Sequence, residues 1–211
     1  IDIRGREDLP FRIVVMDVRD PGLADLFKAE RISHVVHLAS VLDTGNDRAR
    51  EFDIDVNGTR NVLRACLEAG VGHITITSSG AAYGYYPDNP AWIDEDQPLR
   101  GNPEFAYSDH KRQIEELLVD YRQRHPQLRQ LIFRPGTILG ANTSNLITNL
   151  FRARRLLAVR GSDSPFVFIW DEDVVRAIEQ GIRADRTGIY NMAGDGALTI
   201  HEIAAILGKP V

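Results

Sequence analysis

The stretch Ile74-Thr75-Ile76-Thr77-Ser78-Ser79-Gly80-Ala81-Ala82-Tyr83-Gly84 decides the fold of this chain. Its first four residues alternate isoleucine and threonine, which predicts a buried strand. The small residues that follow predict a turn, and this turn presents the hydroxyl of Ser79. We therefore interpret residues 74–84 as a strand whose end carries a candidate catalytic hydroxyl.

A second motif, Tyr107-Ser108-Asp109-His110-Lys111, stands at the start of a predicted amphipathic helix. Tyr107 and Lys111 are four residues apart, so they share one face of that helix. A free tyrosine has a pKa of about 10 and is a poor base near pH 7. Lowering that pKa by roughly three units needs about 4 kcal/mol, which a positive charge about 4 Å away supplies at an effective dielectric of about 20.

These two motifs together predict a proton-transfer site for an alcohol or a ketone. Lys111 is expected to lower the pKa of Tyr107, and Ser79 is expected to hold a substrate oxygen. Each motif alone is weak, because Tyr-x-x-x-Lys occurs by chance in many helices. The order of strand, Ser79, helix with Tyr107 and Lys111, and a further strand ending at 134–136 is far more specific.

With these residues the chain resembles the extended short-chain dehydrogenases/reductases of the NAD-dependent epimerase/dehydratase family. Segments 134–142 and 161–166 resemble a subgroup labelled UDP-glucose 4-epimerase-like. The matching pieces come in the family's order, cover nearly the whole chain, and are residues 17–20, 37–40, 55–59, 79–84, 107–111, 134–140, 173–174 and 189–194.

The resemblance implies an α/β fold with a Rossmann-like, doubly wound parallel sheet. Residues 1–140 would form the dinucleotide-binding domain. Residues 141–211 would add the last sheet elements and part of a small substrate-binding portion. The family's substrate domain runs on from the point where this chain ends at Val211, so we expect this portion to be incomplete.

The beginning of the chain departs from the family. The family opens with a strand, a Gly-x-x-Gly-x-x-Gly turn that admits the pyrophosphate, and a helix. No such motif occurs here, and residues 1–4 are predicted to end the second strand, so the first strand–helix unit is expected to be missing. Asp2 would bind the ribose 2′-hydroxyl and favour NAD over NADP. Arg4 lies two residues further on, so NADP is not excluded as the cofactor. Asp2 could equally be a solvated residue at the chain terminus.

The resemblance also assigns further cofactor contacts. Asp17 and the backbone of Val18 would meet the adenine, although Asp17 could instead be a turn carboxylate. Asn57 would brace the active-site strand and the adjoining helix, or else be an exposed polar residue. The complete set implied for the cofactor is Asp2, Asp17, Val18, Leu38, Ala39, Ser40, Asn57, Tyr107, Lys111 and Pro135.

For the substrate, the resemblance implies Ser79, Ala81, Thr137 and Asn145. Family dehydratases carry Asp-Glu directly after the catalytic hydroxyl, where this chain has Gly80 and Ala81. Neither residue can transfer a proton, so we expect no dehydratase activity. Thr137 stands near the position where many sugar-nucleotide epimerases carry an asparagine, and it is a shorter donor. A nucleotide sugar therefore remains one open choice of substrate.

Hydrophobic patterning predicts the other elements. Residues 85–104 are expected to be a functional loop, with the acids at 94–96 solvated. A loop is also expected at 41–46. The predicted strands are 11–16, 35–39, 131–133, 156–159 and 166–170, and the predicted helices begin near Pro21 and Phe52 or cover 107–124, 145–155, 173–183 and 200–207.

Composition excludes several classes of function. The chain has 211 residues and a formal net charge of −5, which argues against binding to nucleic acid or to an anionic membrane. Its single cysteine, Cys66, permits no internal disulfide and fits a reducing, cytoplasmic environment. The histidines form no metal-binding motif, so no metal is expected. The resemblance implies a homodimer formed by the helices that carry Asn57 and Tyr107.

Two functions follow. The leading hypothesis is an NAD-dependent oxidoreductase or epimerase that uses Ser79, Tyr107 and Lys111 on a small-molecule substrate. The alternative is a non-catalytic dinucleotide-binding or regulatory protein on the same fold, because fold does not fix function. A third possibility is that this polypeptide binds no dinucleotide, since it lacks the glycine-rich turn.

Overall fold

The computed structural model describes residues 1–41 and 47–211 and shows an α/β protein built on a parallel sheet. The predicted loop 41–46 lies, except for Val41, outside the described residues. The sheet has four strands in the order β1-β2-β3-β6, and every pairing is parallel. These strands are β1 His34–His37, β2 His73–Thr77, β3 Arg129–Pro135 and β6 Gly188–Met192. The α/β parallel architecture predicted from the sequence is confirmed.

Helices connect and cover the strands. A separate two-stranded parallel sheet joins β4 Thr137–Leu139 to β5 Phe168–Trp170. The helices are α1 Leu23–Ala29, α2 Arg48–Phe52, α3 Gly58–Ala69, α4 Ala106–Arg124, α5 Leu146–Arg152, α6 Asp171–Arg183 and α7 Ile200–Leu207. The predicted helices that correspond to α4, α6 and α7 are confirmed to within two residues at each end, and α1 begins two residues after Pro21.

Apolar side chains cover both faces of the sheet, as a sheet with helices on each side requires. On one face, Ile74, Ile76 and Ile132 join the side chains of α1, α3 and α4 in the larger core. On the other face, Leu131 and Phe133 pack with residues of β5 and α6. Alternate residues of β3 therefore point to opposite cores, as the pleat of a strand dictates.

The predicted helix from Phe52 to Cys66 forms, with one irregularity. A π-helical turn, Asp53–Asn57, joins α2 to α3. Val56, Leu63 and Cys66 are buried on the predicted core face. Gly70 ends the helix in the left-handed conformation, with φ 72°, which glycine adopts without steric cost.

Three strand predictions need correction. Residues 11–16 form one isolated bridge, Asp2 with Val15, rather than a buried strand, and Phe11 and Val15 are 63% and 61% exposed. β1 forms, but it lies at the sheet edge, so Val36 is exposed. Residues 156–159 form no strand, because the Leu156 N–H donates to the Pro210 carbonyl instead of to a ladder. In each case the apolar pattern was present, but the neighbouring strand that would bury it was not found among the described residues.

Across the described ranges 1–41 and 47–211, no helix combines the length and the apolar character needed to cross a membrane. In the same ranges, no three His, Cys, Asp or Glu side chains come together as a metal site.

Candidate active site

The candidate site lies at the carboxyl ends of β2 and β3, where parallel sheets place their ligands. β2 ends at Thr77, and Ser79 follows in an extended conformation as the first residue of the 3₁₀ turn Gly80–Tyr83. The Ser79 Oγ accepts a hydrogen bond from the Ala81 N–H at 3.1 Å, which fixes the hydroxyl at the mouth of the turn. The local sequence thus places Ser79 where the small-residue turn predicts it.

Tyr107 and Lys111 occupy the first two turns of α4. The Ser79 hydroxyl is close enough to the Tyr107 phenol to lower the pKa of that phenol. The Lys111 ammonium lies 5.5 Å from the centroid of the Tyr107 ring, within the range of a cation–π contact. The structure therefore brings these three side chains together, although they come from two separate segments of the chain.

The expected lowering of the Tyr107 pKa is wrong for this arrangement. Burial raises the pKa of the phenol above its ordinary value, Ser79 opposes that rise, and the Asp55 carboxylate adds to it. Lys111 does not offset the rise, because its Nζ faces the ring and donates to the Thr77 carbonyl at 3.1 Å. The sequence argument assumed an ammonium beside the hydroxyl and ignored the desolvation of the phenol.

Lys111 is a buried cation between two carboxylates. Burial lowers its pKa from 10.5 to about 8, while the charges of Asp55 and Glu115 oppose that change. The ammonium is therefore still mostly charged at pH 7. Glu115 lies one helical turn beyond Lys111 on the buried face of α4.

Asp55, in the π-helical turn, makes the brace that the resemblance assigned to Asn57. Its carboxylate accepts from the Ser40 hydroxyl at 3.1 Å and from the Val41 N–H at 2.8 Å. It also lies 3.0 Å from His110 Nδ1, which must carry the proton because a carboxylate only accepts. Asp55 therefore ties the segment after β1 to α4, directly beside Lys111.

Asn57 does not perform the predicted bracing. Its Nδ2 donates to Asp53 at 3.0 Å, and its Oδ1 accepts from Arg60 at 2.6 Å, both on the same continuous helix. Sequence reasoning missed Asp55, yet a signal existed. Helical spacing places Thr59 on the same face as the apolar Val56, Leu63 and Cys66, and a residue four positions before Thr59 shares that face.

His37, at the end of β1, is a neutral imidazole. Burial and the charge of Lys111 lower its pKa to about 4, against the opposing charge of Asp55. The Thr59 hydroxyl donates to the Asp55 carbonyl. It therefore accepts from His37 Nε2, 3.0 Å away. This hydrogen bond joins the end of β1 to the helix that continues from Asp55.

A second buried network supports the site from below. Arg134, at the end of β3, binds Glu115 through two nitrogens, with Nε 2.8 Å from Oε1 and Nη2 2.6 Å from Oε2. The Ser78 hydroxyl donates to Glu115 Oε1 at 2.6 Å. This network holds α4 against the ends of β2 and β3. It thereby fixes the position of Lys111 along the helix relative to those strand ends.

The same arginine anchors the loop 85–104. Arg134 Nη1 donates to the Tyr83 hydroxyl at 2.7 Å and to the Glu95 carbonyl at 3.0 Å. The Glu95 carboxylate accepts from the Asn191 N–H of β6 at 2.6 Å, and Asn191 Nδ2 donates to the Ile93 carbonyl at 2.9 Å. The prediction that the acids at 94–96 are all solvated is therefore wrong for Glu95.

The residues implied for the cofactor fall into two groups. Leu38 and Ala39 are exposed and follow β1, while Ser40 is tied to Asp55. Pro135 is buried at the end of β3, so these residues border the same edge of the sheet as Ser79.

Asp2 forms an isolated β-bridge with Val15, and Asp17 follows two residues after Val15. Arg19 binds the Asp17 carboxylate through Nε at 2.9 Å and Nη2 at 2.7 Å, and this contact lowers the Asp17 pKa. Val18 packs against Gly58, and its carbonyl accepts from Asn61. The described contacts do not join this group to Ser79, Tyr107 and Lys111.

The four residues implied for the substrate are also separated. Ala81 is buried next to Ser79, and its carbonyl accepts from the Ser108 hydroxyl at 2.6 Å. Thr137 begins β4, and its N–H donates to the Val167 carbonyl. Asn145 is the N-cap of α5, where its side chain accepts from the Thr148 N–H at 2.9 Å. The carboxamide predicted to bind substrate is therefore engaged in capping a helix.

Comparison with known proteins shows which family the chain resembles. The family model described as "NAD dependent epimerase/dehydratase family" matches residues 3–193. An N-acetyl-α-D-glucosaminyl-diphospho-ditrans,octacis-undecaprenol 4-epimerase of Escherichia coli O157:H7 is 36% identical over 137 residues, which are 64% of this chain and 40% of that protein. The chain spans about half the length of the curated relatives it matches, or less.

Solved structures share the fold. The UDP-glucose 4-epimerase of Thermus thermophilus, solved with NAD, has a TM-score of 0.75 and 25% identity, and the match covers 93% of this chain and 69% of that one. A double mutant of DesIV, the dTDP-glucose 4,6-dehydratase of Streptomyces venezuelae, solved with NAD, has a TM-score of 0.77 and 27% identity over 95% and 64% of the two chains. The expected Rossmann-like fold is confirmed by these matches.

Proposed function

The chain belongs to the NAD-dependent epimerase/dehydratase family, and from this premise we propose that it binds NAD and epimerises a sugar carried on a diphosphate, with Ser79, Tyr107 and Lys111 as the catalytic residues. The observation that carries the proposal is the meeting of these three side chains at the carboxyl ends of β2 and β3. Relatives that act on a UDP-sugar and on an undecaprenyl-diphosphate-linked sugar support the substrate class.

In this proposal, Tyr107 exchanges a proton with the hydroxyl of the carbon that is oxidised. Ser79 holds the same substrate oxygen, since its hydroxyl already lies next to the phenol. Lys111 brings a buried positive charge to the face of the Tyr107 ring, because its Nζ lies 5.5 Å from the ring centroid and is charged below a pKa of about 8. NAD, when bound, would supply the hydride acceptor and donor for this carbon.

The residues fit the nicotinamide end of NAD. The phenol and the ammonium stand side by side at the sheet edge, and the exposed Leu38 and Ala39 give a ligand access to the end of β1. Pro135 would lie on the nicotinamide side, and Lys111 would bind the nicotinamide ribose. Gly80 and Ala81 carry no titratable group, which favours epimerisation over water loss.

Replacement of Tyr107 tests this role. Tyr107→Phe should reduce turnover of UDP-glucose by about 10²- to 10⁴-fold, the usual contribution of a general acid–base. NAD affinity measured by calorimetry should change less than about twofold, because the ring remains. Tyr121→Phe, on the same helix and distant from the site, is the matched control and should leave turnover unchanged. Retained turnover in Tyr107→Phe would refute the assignment.

A second candidate is a non-catalytic dinucleotide-binding protein. The specific observation in its favour is that burial raises the pKa of Tyr107, which makes the phenol a weaker base near pH 7. The same two assays separate the candidates, because NAD binding by the wild-type chain without turnover of any diphosphate sugar would favour this second function.

We also propose a homodimer that pairs through α3 and α4. Val119 presents an exposed apolar side chain on α4. Light scattering during size-exclusion chromatography should give twice the chain mass, and Val119→Glu should shift it towards the monomer. A monomeric wild type would exclude this pairing.

A further inference from the structure

Two exposed aromatic rings stand next to the phenol of Tyr107 and take no part in the chemistry described above. Tyr85 is 66% exposed and Phe105 is 39% exposed. The ring centroids of Tyr85 and Phe105 are 6.2 Å apart, and those of Phe105 and Tyr107 are 6.0 Å apart. Both distances lie in the range of aromatic pairs. Tyr85, Phe105 and Tyr107 therefore form a continuous aromatic row.

The backbone that carries Tyr85 is held rigidly. Gly84 has φ 80°, and a Cβ at this position would lie 2.6 Å from the Gly101 carbonyl, so only glycine fits. The Tyr85 N–H donates to Asn102 Oδ1 at 2.8 Å, and Asn89 Nδ2 donates to the Gly84 carbonyl at 2.7 Å. The Tyr85 ring is exposed, and the backbone that carries it is fixed by hydrogen bonds. The ring is therefore pre-organised for contact with a ligand.

The row leads to the reacting group. Partial burial raises the pKa of Tyr85, and the charge that Tyr107 would carry raises it further, so the Tyr85 phenol lies within the electric field of Tyr107. Phe105 stands in the middle of the row, immediately before α4, and Tyr107 forms the end opposite to Tyr85. A ligand that presents a hydroxyl to Tyr107 must therefore lie close to the exposed rings.

We propose that Tyr85 and Phe105 are specificity-determining residues that stack against the apolar face of the sugar ring whose hydroxyl is presented to Tyr107. This inference rests on the proposed function. Aromatic walls with a few fixed polar groups are typical of small-molecule sites. In this row the rings supply the apolar wall, and the hydroxyls of Ser79 and Tyr107 supply the polar groups. A nucleobase or the nicotinamide is the other possible occupant, and the test separates them.

The test is calorimetric titration of the full chain, in the presence of NAD, with UDP-glucose and with UDP. UDP lacks only the sugar, so it is the matched ligand. Tyr85→Ala and Phe105→Ala should each weaken UDP-glucose by about three- to tenfold, the size of an aromatic stacking contact. Both variants should change the affinity for UDP less than about twofold.

Two control variants isolate the ring itself. Tyr85→Phe keeps the ring and should retain the affinity for UDP-glucose within about twofold. Trp92→Ala removes a ring that is 75% exposed on the same loop but outside the row, and it should have no effect.

Several results would overturn the inference. These are an unchanged affinity for UDP-glucose in both alanine variants, an equal loss for UDP, a loss confined to NAD, and no binding of UDP-glucose to the wild type. Its failure is distinguishable from failure of the proposed function. Retained turnover in Tyr107→Phe refutes the catalytic assignment, whereas a neutral Tyr85→Ala with turnover still dependent on Tyr107 refutes only the stacking.

Discussion

Lys111→Met is expected to stabilise the fold and to abolish turnover. Burial brings the pKa of Lys111 from 10.5 to about 8. At 1.36 kcal/mol per pKa unit, keeping this charge inside the folded protein costs about 3 kcal/mol at pH 7. Methionine has a similar shape and no charge. It loses the hydrogen bond to the Thr77 carbonyl, worth about 1 kcal/mol. The net gain should be about 2 kcal/mol in the free energy of unfolding.

The pH dependence identifies the cause. Between about pH 8 and 10.5 the unfolded chain binds a proton at Lys111 that the folded chain does not, so wild-type stability rises with pH in that window. Below pH 8 both states are protonated, and the full cost is present. The advantage of Lys111→Met should therefore be largest near pH 7 and should shrink as the pH rises above 8.

Urea denaturation followed by circular dichroism at pH 6.5 to 9.5 measures this difference. Lys28→Met is the matched control, because its side chain is 51% exposed, and it should change stability by less than about 0.5 kcal/mol at every pH. A stability difference for Lys111→Met that stays constant across the range, or a destabilised variant at pH 7, would contradict the reasoning.

Further changes test the groups around Lys111 and the core. Asp55→Asn removes a charge that raises the pKa of Lys111, so the high-pH loss of turnover should begin at lower pH in a pH–rate profile; an unchanged profile would argue against it. Glu115→Ala leaves the buried guanidinium of Arg134 unpaired and should lower the free energy of unfolding, measured by urea denaturation, by about 3 to 5 kcal/mol. Glu68→Ala breaks an exposed helical ion pair and should lower it by less than about 0.5 kcal/mol. Similar losses in the two variants would show that burial is not the cause. Burial raises the pKa of the Cys66 thiol to about 12, so iodoacetamide should label it only in urea, and rapid labelling of the folded chain would contradict its burial.

The sequence was sufficient for the parts of the site that depend on local pattern. The alternating residues of 74–77 and the small residues after them predicted β2 and the position of Ser79. Helical periodicity from Tyr107 onward predicted α4 to within one residue and placed Lys111 on the same face. The parallel arrangement of the sheet followed from the resemblance.

The rest depends on contacts between distant segments. Asp55 and His110 are 55 residues apart, and Glu115 and Arg134 are 19 apart, so no local pattern shows that they meet. The direction of the Tyr107 pKa could not be predicted either, because burial and the placement of the Lys111 ammonium compete, and both are properties of packing. The exposure of residues 11–16 and of β1 likewise depends on which strands lie next to them.

The hydrogen bonds that join Ile93 and Glu95 to Arg134 and Asn191 also bear on how a ligand enters. A segment bonded at its middle to β3 and β6 must break these hydrogen bonds before it can swing aside as a hinged flap. We therefore expect small molecules to bind near Tyr85 without movement of this segment, with single-exponential association kinetics whose rate grows linearly with concentration.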